Sequence, residues 1–122
     1  MDALENLEVW RRACRFSASL YREFSRCPEY GFKDQVTRSA LSVASNIAEG
    51  YERDSHKACV QFLKIAKGSC GELWTQLLIG REAGFIEVDV SREFEQEAKQ
   101  LSKMLHGLIK HFQSIQSSNP SP

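Results

Sequence analysis

The 122-residue chain carries 16 basic and 16 acidic side chains, a formal charge of +0, in a length that suits one domain with one core able to bury roughly two thirds of its unfolded surface. Zero net charge excludes a global field drawing the chain to nucleic acid or anionic lipid, so any such binding must come from a local patch. No window approaches the ~20 apolar residues a bilayer crossing needs, and MDALENLEVW lacks a basic region followed by an apolar run, so a cytoplasmic protein with no membrane partner is expected.

Pro28 with Gly31, Gly50 to Ser55, and Gly84 to Asp89 divide the chain into four periodic segments, with no period-two alternation and no internal repeat. The first, about residues 5–27, gathers Val9, Trp10, Ala13, Cys14, Phe16, Leu20, Tyr21 and Phe24 on one broad side. Opposite them Arg11, Arg15, Arg22 and Arg26 fall within an arc of about 60°. That stripe is either a row of phosphate contacts or a solvated face in which Glu8 pairs with Arg11 and Arg12.

The second segment, about 32–52, spaces Phe32, Val36, Ala40, Val43, Ile47 and Tyr51 along an apolar face and ends in SNIAEG. Asn46 and Glu49 sit one turn apart there, Arg53 follows Glu49 by four, and Gly50 can take the left-handed conformation that ends a helix. Two readings are open. Either Asn46 and Glu49 bond to a neighbouring helix backbone or to an arginine such as Arg38 and fix register, or they line a groove and meet a partner.

The third segment, about 55–83, spreads Ala58, Phe62, Leu63, Ala66, Cys70, Leu73, Trp74, Leu77 and Leu78 over an arc of about 200°, where one core contact needs only ~100°. Four helices on short connections favour an all-α, antiparallel up-and-down bundle, which covers one side of each. The surplus predicts subunit contacts, with Trp10, Tyr21, Trp74 and Leu78 as interface candidates. Gly68-Ser69-Cys70-Gly71 predicts close approach of a second helix backbone, since each glycine costs up to about 1 kcal/mol of helix propensity. Lys57, Lys64 and Lys67 are further phosphate candidates, and Asp54 or Ser55 can cap the helix start.

The fourth segment, about 90–113, steps through Phe94, Ala98, Leu101, Leu105, Leu108 and Phe112 as a heptad seam, with Asp89 or Ser91 as its cap. The domain thus spans 1–113, and residues 114–122, rich in Ser, Asn and Pro, are expected to be a flexible tail. Residues 68–97 hold seven acids against two arginines, so charge is segregated along the chain despite its zero sum.

No catalytic, cofactor or metal constellation is apparent. Cys14, Cys27, Cys59 and Cys70 have no zinc spacing and read as reduced, packed thiols. His106 and His111 are five apart, about 140° around a helix, and cannot share a metal, while His56 reads as solvent-facing. Ser69 and Cys70 lack a sequence-local base.

LEVW (7–10), YGFKDQVTRSALSVASNIAEG (30–50), FLKIAKGSCGEL (62–73) and TQLLIGREAGFI (75–86) occur in an order that resembles the four-helix-bundle proteins of the 23S rRNA intervening-sequence protein family. The resemblance implies a left-handed up-and-down bundle, assembly into a homopentameric ring, and a signature formed here by Arg38, Asn46, Glu49 and Gly50. It also implies departures: proline is frequent at the position of Ala44, arginine at that of Thr37, and an acid at that of Trp74, so the tryptophan adds packing surface. Together these features predict a non-enzymatic oligomer acting as a scaffold for a protein or RNA partner, with a nucleic-acid-binding ring as the alternative.

Overall fold

The computed structural model describes residues 1–118. They form five helices and no strand: α1 (Asp2–Glu5), α2 (Glu8–Glu23), α3 (Tyr30–Tyr51), α4 (His56–Ala83) and α5 (Val88–Ser118). The expected first segment is divided. Leu7 adopts extended φ, ψ of −86°, 113° and separates the single turn of α1, whose Leu4 reaches the core, from α2. The chain leaves the helix after Glu23, so Arg26 lies in the following turn and not on the stripe of Arg11, Arg15 and Arg22.

Ser55 is the cap of α4, its hydroxyl accepting the Ala58 N–H at 3.1 Å. Ser91 is not a cap. It lies inside α5, fully buried, with its one hydroxyl proton placed between the Leu77 carbonyl of α4 and the Glu95 carboxylate. At the end of α4, Gly84 takes φ 80° and the Phe85 N–H returns to the Gly80 carbonyl at 2.8 Å, a left-handed C-cap that only glycine adopts without strain. The α5 helix continues to Ser118, past the expected end at 113, and 119–122, the rest of the expected tail, lie outside the described residues.

The helices pack in chain order, α2 on α3, α3 on α4 and α4 on α5, with a thinner closing contact between α2 and α5. Cross-helix pairs fix the directions as antiparallel: Gly50 meets Cys59, Phe32 meets Gly80, Arg81 meets Glu95 and Arg12 meets Glu97. Leu20, Val36, Val43, Ile47, Leu63, Leu73, Leu77, Leu101 and Leu105 fill the core with almost no exposed area. Within the predicted heptad seam, Ala98, Leu101 and Leu105 are buried and Phe94, Leu108 and Phe112 flank them at half burial. Leucines at these spacings supply the apolar area that drives folding, about 25 cal/mol for each Å² withdrawn from water.

Glycine placement corrects two expectations. Gly50 does not end α3 in a left-handed turn; it is buried within the helix, where a Cβ would sit 3.1 Å from the Cys59 carbonyl oxygen. Gly80 is tighter still. A Cβ there would stand 2.3 Å from the Phe32 ring, which is itself held edge-on against Phe24 and packed on Phe85. Gly68 and Gly71, by contrast, have nothing within 4 Å of where a methyl group would stand, so no helix of this chain approaches them.

These environments predict opposite signs for one substitution. Gly80→Ala should lower stability by about 1–2 kcal/mol, overpacking against Phe32 outweighing the gain in helix propensity. Gly68→Ala and Gly71→Ala should each raise the stability of the free chain by up to about 1 kcal/mol. Thermal melts followed by circular dichroism read all three, and a stabilised Gly80→Ala would refute the packing argument.

Candidate functional site

The antiparallel α4–α5 hairpin turns the charge segregation of the sequence into a spatial one. It lays residues 56–71 beside 98–118, and those two stretches hold six lysines (57, 64, 67, 99, 103 and 110), all three histidines and no acid. The acid-rich residues 72–97 occupy the other end of the hairpin, around the α4–α5 turn. Ion pairing follows the same division. Among the described residues every ion pair is made by an arginine, and no lysine is in one.

Three shallow recesses join into one groove along the outer seam of α4 and α5. The first, of about 560 Å³, is lined by Lys57, Val60, Gln61, Lys64, Gln113 and Gln116. The second shares Lys64 and Gln113 with it and adds Lys67, Gly68, Ser102, His106 and Ile109. The third shares Ser102 and adds Cys70, Gly71, Trp74, Ala98 and Lys99. From Lys57 to Trp74 the helix rises about 25 Å. Lys67 Nζ lies 3.1 Å from His106 Nδ1, and Lys99 Nζ sits over the Trp74 ring, 5.4 Å from its centroid. The groove wall is therefore basic and its floor apolar and glycine-lined.

The structure brings the predicted residues Lys57, Lys64 and Lys67 together here and leaves the arginine stripe elsewhere. Arg11, Arg15 and Arg22 are exposed on α2, where Arg15 pairs with Glu8 at 3.4 Å and Arg22 donates to Ser19 Oγ. Glu8 forms its ion pair with Arg15 and not with Arg11 or Arg12, while its charge still acts on Arg12, which crosses to Glu97 of α5 at 2.6 Å. Motif reasoning does not find Lys99 and His106. Their signal is the absence of any acid after Glu97, which gains meaning only once α5 is laid beside α4.

The signature residues make local contacts. Asn46 donates to the carbonyl and hydroxyl of Ser42 on its own helix, and Ser42 in turn shares a 2.9 Å hydrogen bond with Ser69 of α4. Glu49 pairs with Arg53, and Arg38 with Asp34 at 3.0 Å. The expected bonds from Asn46 or Glu49 to a neighbouring helix backbone or to Arg38 are not formed, because each of these residues finds its partner one turn away in sequence. With Ser39 bonded to Gln76 at 2.9 Å, the Ser42–Ser69 contact makes a short polar seam between α3 and α4. Asn46 reaches that seam only through Ser42, and Glu49 takes no part in it.

Ser69 is buried in that seam, and burial pushes the Cys70 thiol up to about 12, the reverse of nucleophile activation. Among the described residues no cluster could hold a metal ion, and no helix is long and apolar enough to cross a membrane. Of the predicted interface residues, Tyr21 is exposed, whereas Trp10 and Trp74 pack half-buried against the core and Leu78 is half-buried. Exposed apolar side chains also occur elsewhere, Leu41 (48% exposed), Ile65 (51%) and Ile79 (57%) among them.

One charged cluster is partly buried. Arg81 and Glu95, with side chains 17% and 11% exposed, make a two-pronged contact at 3.0 and 3.3 Å, and Ser91 donates to the same carboxylate at 2.8 Å. Burial alone pushes the Glu95 carboxyl up. Hydrogen bonds from Arg81 and Ser91, with the charges of Arg81 and Arg92, more than offset this and hold it below its ordinary value. A carboxylate so held braces the α4–α5 turn and is no proton donor near neutrality.

The family model described as 23S rRNA-intervening sequence protein matches residues 5–107. Among solved structures, a protein of unknown function from the S23 ribosomal protein family of Bacteroides thetaiotaomicron VPI-5482 superposes with a TM-score of 0.79 at 20% identity, covering 84% of this chain and 98% of that one. At that identity the likeness is one of fold. No curated protein matches the chain.

The Arg81–Glu95 pair has a defined pH signature. A carboxylate held below its ordinary value stabilises the fold above that ordinary value, and the contribution is lost as pH falls through the lowered one. Glu95→Gln should therefore melt below the unmutated protein at pH 7, and the gap should close below about pH 4. A gap independent of pH would show that the charge of Glu95 contributes nothing.

Proposed function

Since the chain belongs to the 23S rRNA-intervening sequence protein family, we propose that it is a non-enzymatic helical interaction module of the cytoplasm that binds nucleic acid along the α4–α5 groove. The observation that carries this reading is the row Lys57, Lys64, Lys67 and Lys99, set in one groove with no acid in its lining and no ion pair to any of them among the described residues. Lysines left unpaired keep their charge available for phosphates, and contacts of that kind supply most sequence-independent affinity.

Four phosphate contacts predict a log–log salt slope of about −3. Lys64→Glu and Lys67→Glu should each weaken binding and reduce that slope by about 1, measured by fluorescence anisotropy of a labelled RNA across a salt series. Reversing Arg15 and Arg22 should have a smaller effect, because Arg15 is already paired on another face. Undetectable binding by the unmutated protein at low salt would end the proposal.

A second reading, self-association, is favoured by a separate observation. Ile65 and Ile79 stand two heptads apart on the outer line of α4, with exposed Leu41 on the adjoining α3. Exposed apolar surface of this kind is readily covered by another copy, and the family resemblance implies five. Native mass measurement should show the assembly, and Ile65→Asp with Ile79→Asp should yield helical monomers. A monomeric unmutated protein would exclude it.

A further inference from the structure

Trp74 forms the inner end of the basic groove, and its position bears on which form of nucleic acid the groove accepts. Its indole is half-buried, one part packed on the core and the rest opening into a recess of about 250 Å³ beside Gly71 and Ser102. Lys99 places its ammonium over the ring, which marks that face as accessible, since an ammonium keeps water about it. The floor beside it is bare. Gly68 and Gly71 line the groove, nothing in the chain comes within 4 Å of where their Cβ atoms would be, and both weaken the helix that contains them.

From this geometry we propose that the α4–α5 groove binds single-stranded nucleic acid, with one unpaired base seated on Trp74 and the backbone running along Lys67, Lys64 and Lys57. Packed helix axes lie about 8–10 Å apart, so a duplex can only rest on the rims of the cleft between them, and its bases are stacked out of reach of an indole on the floor. A single strand presents both things the groove offers to meet: phosphates for the lysines and a free π-face for the tryptophan. On binding, the base takes the place of the Lys99 ammonium over the ring, and that ammonium moves to the adjacent phosphate. Gln61 and Gln113 stand between the lysines with amides that any base edge can meet.

The proposal rests on the nucleic-acid reading above, and the experiment separates the two. A 12-nucleotide single-stranded RNA, its blunt duplex, and heparin are each titrated into the full chain, with anisotropy and tryptophan emission recorded in parallel. The single strand should bind more tightly than the duplex and quench the emission that remains in a Trp10→Phe variant, where Trp74 is the lone tryptophan. Trp74→Ala should weaken single-strand binding about tenfold while leaving heparin affinity and the salt slope unchanged, and Trp74→Phe should restore most of the loss. Gly71→Leu, which fills the recess without altering charge or helix propensity for the worse, should act as Trp74→Ala does. Equal affinity for single strand and duplex, or a Trp74→Ala protein that binds the strand as well as the parent, would overturn the single-strand proposal while leaving polyanion binding in place. Heparin binding without either nucleic acid, or an indole that stays unquenched because another copy covers it, would also overturn it. No binding to any of the three would overturn both.

Discussion

The fold depends on the grip of α3 and α5 on α4. On the α3 side the approach is as close as backbone allows: Gly50 and Gly80 remove two side chains from the contact, and the serines at 39, 42 and 69 add small polar groups that bond across it. On the α5 side the spacing is set by larger groups, Leu73, Leu77, Leu101 and Leu105 in the core and Trp74 at its edge. One seam is therefore closed and the other left as a groove. The difference follows from residue size on the facing sides of α3, α4 and α5.

Helix stability does not explain the charges around that groove. The first turn of α4 has no acid, and Lys57 stands where the helix dipole disfavours a cation by some tenths of a kcal/mol. Local pairing does not explain them either: the two stretches of α4 and α5 that hold the lysines contain no acid, and Glu49, at the near end of α3, is taken by Arg53. The hairpin thus gives up dipole and ion-pair stabilisation at one end and takes a partly buried ion pair and a glycine cap at the other, so its unpaired cations stand apart from the groups that brace the fold.

Most of the architecture is legible in the sequence because it rests on periodicity. The heptad spacing in α5, the Ser55 cap and the apolar faces of α3 and α4 are local signals, and each places its helix to within a few residues. Glycine roles are not legible. Gly50, Gly68, Gly71 and Gly80 are alike in sequence, and only the docking of another helix distinguishes a contact that forbids a methyl from one open to water. Polar partners escape sequence reasoning for a related reason. Spacing allows Asn46, Glu49 and Arg38 to reach between helices, yet each has an acceptable partner one turn away in sequence, and the short-range contact costs less side-chain entropy than the long one. The basic groove lies between these extremes: its lysines are visible singly, but the groove exists only because an antiparallel turn sets two acid-free stretches side by side.

That turn also explains how a chain of zero net charge can act as a cation. Net charge describes the field at distances well beyond the molecule, whereas at a Debye length of about 8 Å a phosphate in the groove experiences the lysines beside it and little of the acids at the far end. In a cyclic assembly with the bundle axes along the ring axis, every copy would point the same way, so the acid-free stretches of α4 and α5 would recur around one rim. The groove would then be repeated around one rim, and a strand held by one copy would meet the next at a high effective concentration. On the two readings proposed above, the exposed isoleucines on the outer line of α4 and the lysines on its α5 side would belong to one arrangement, the first covering one copy with the next and the second lining the rim they share.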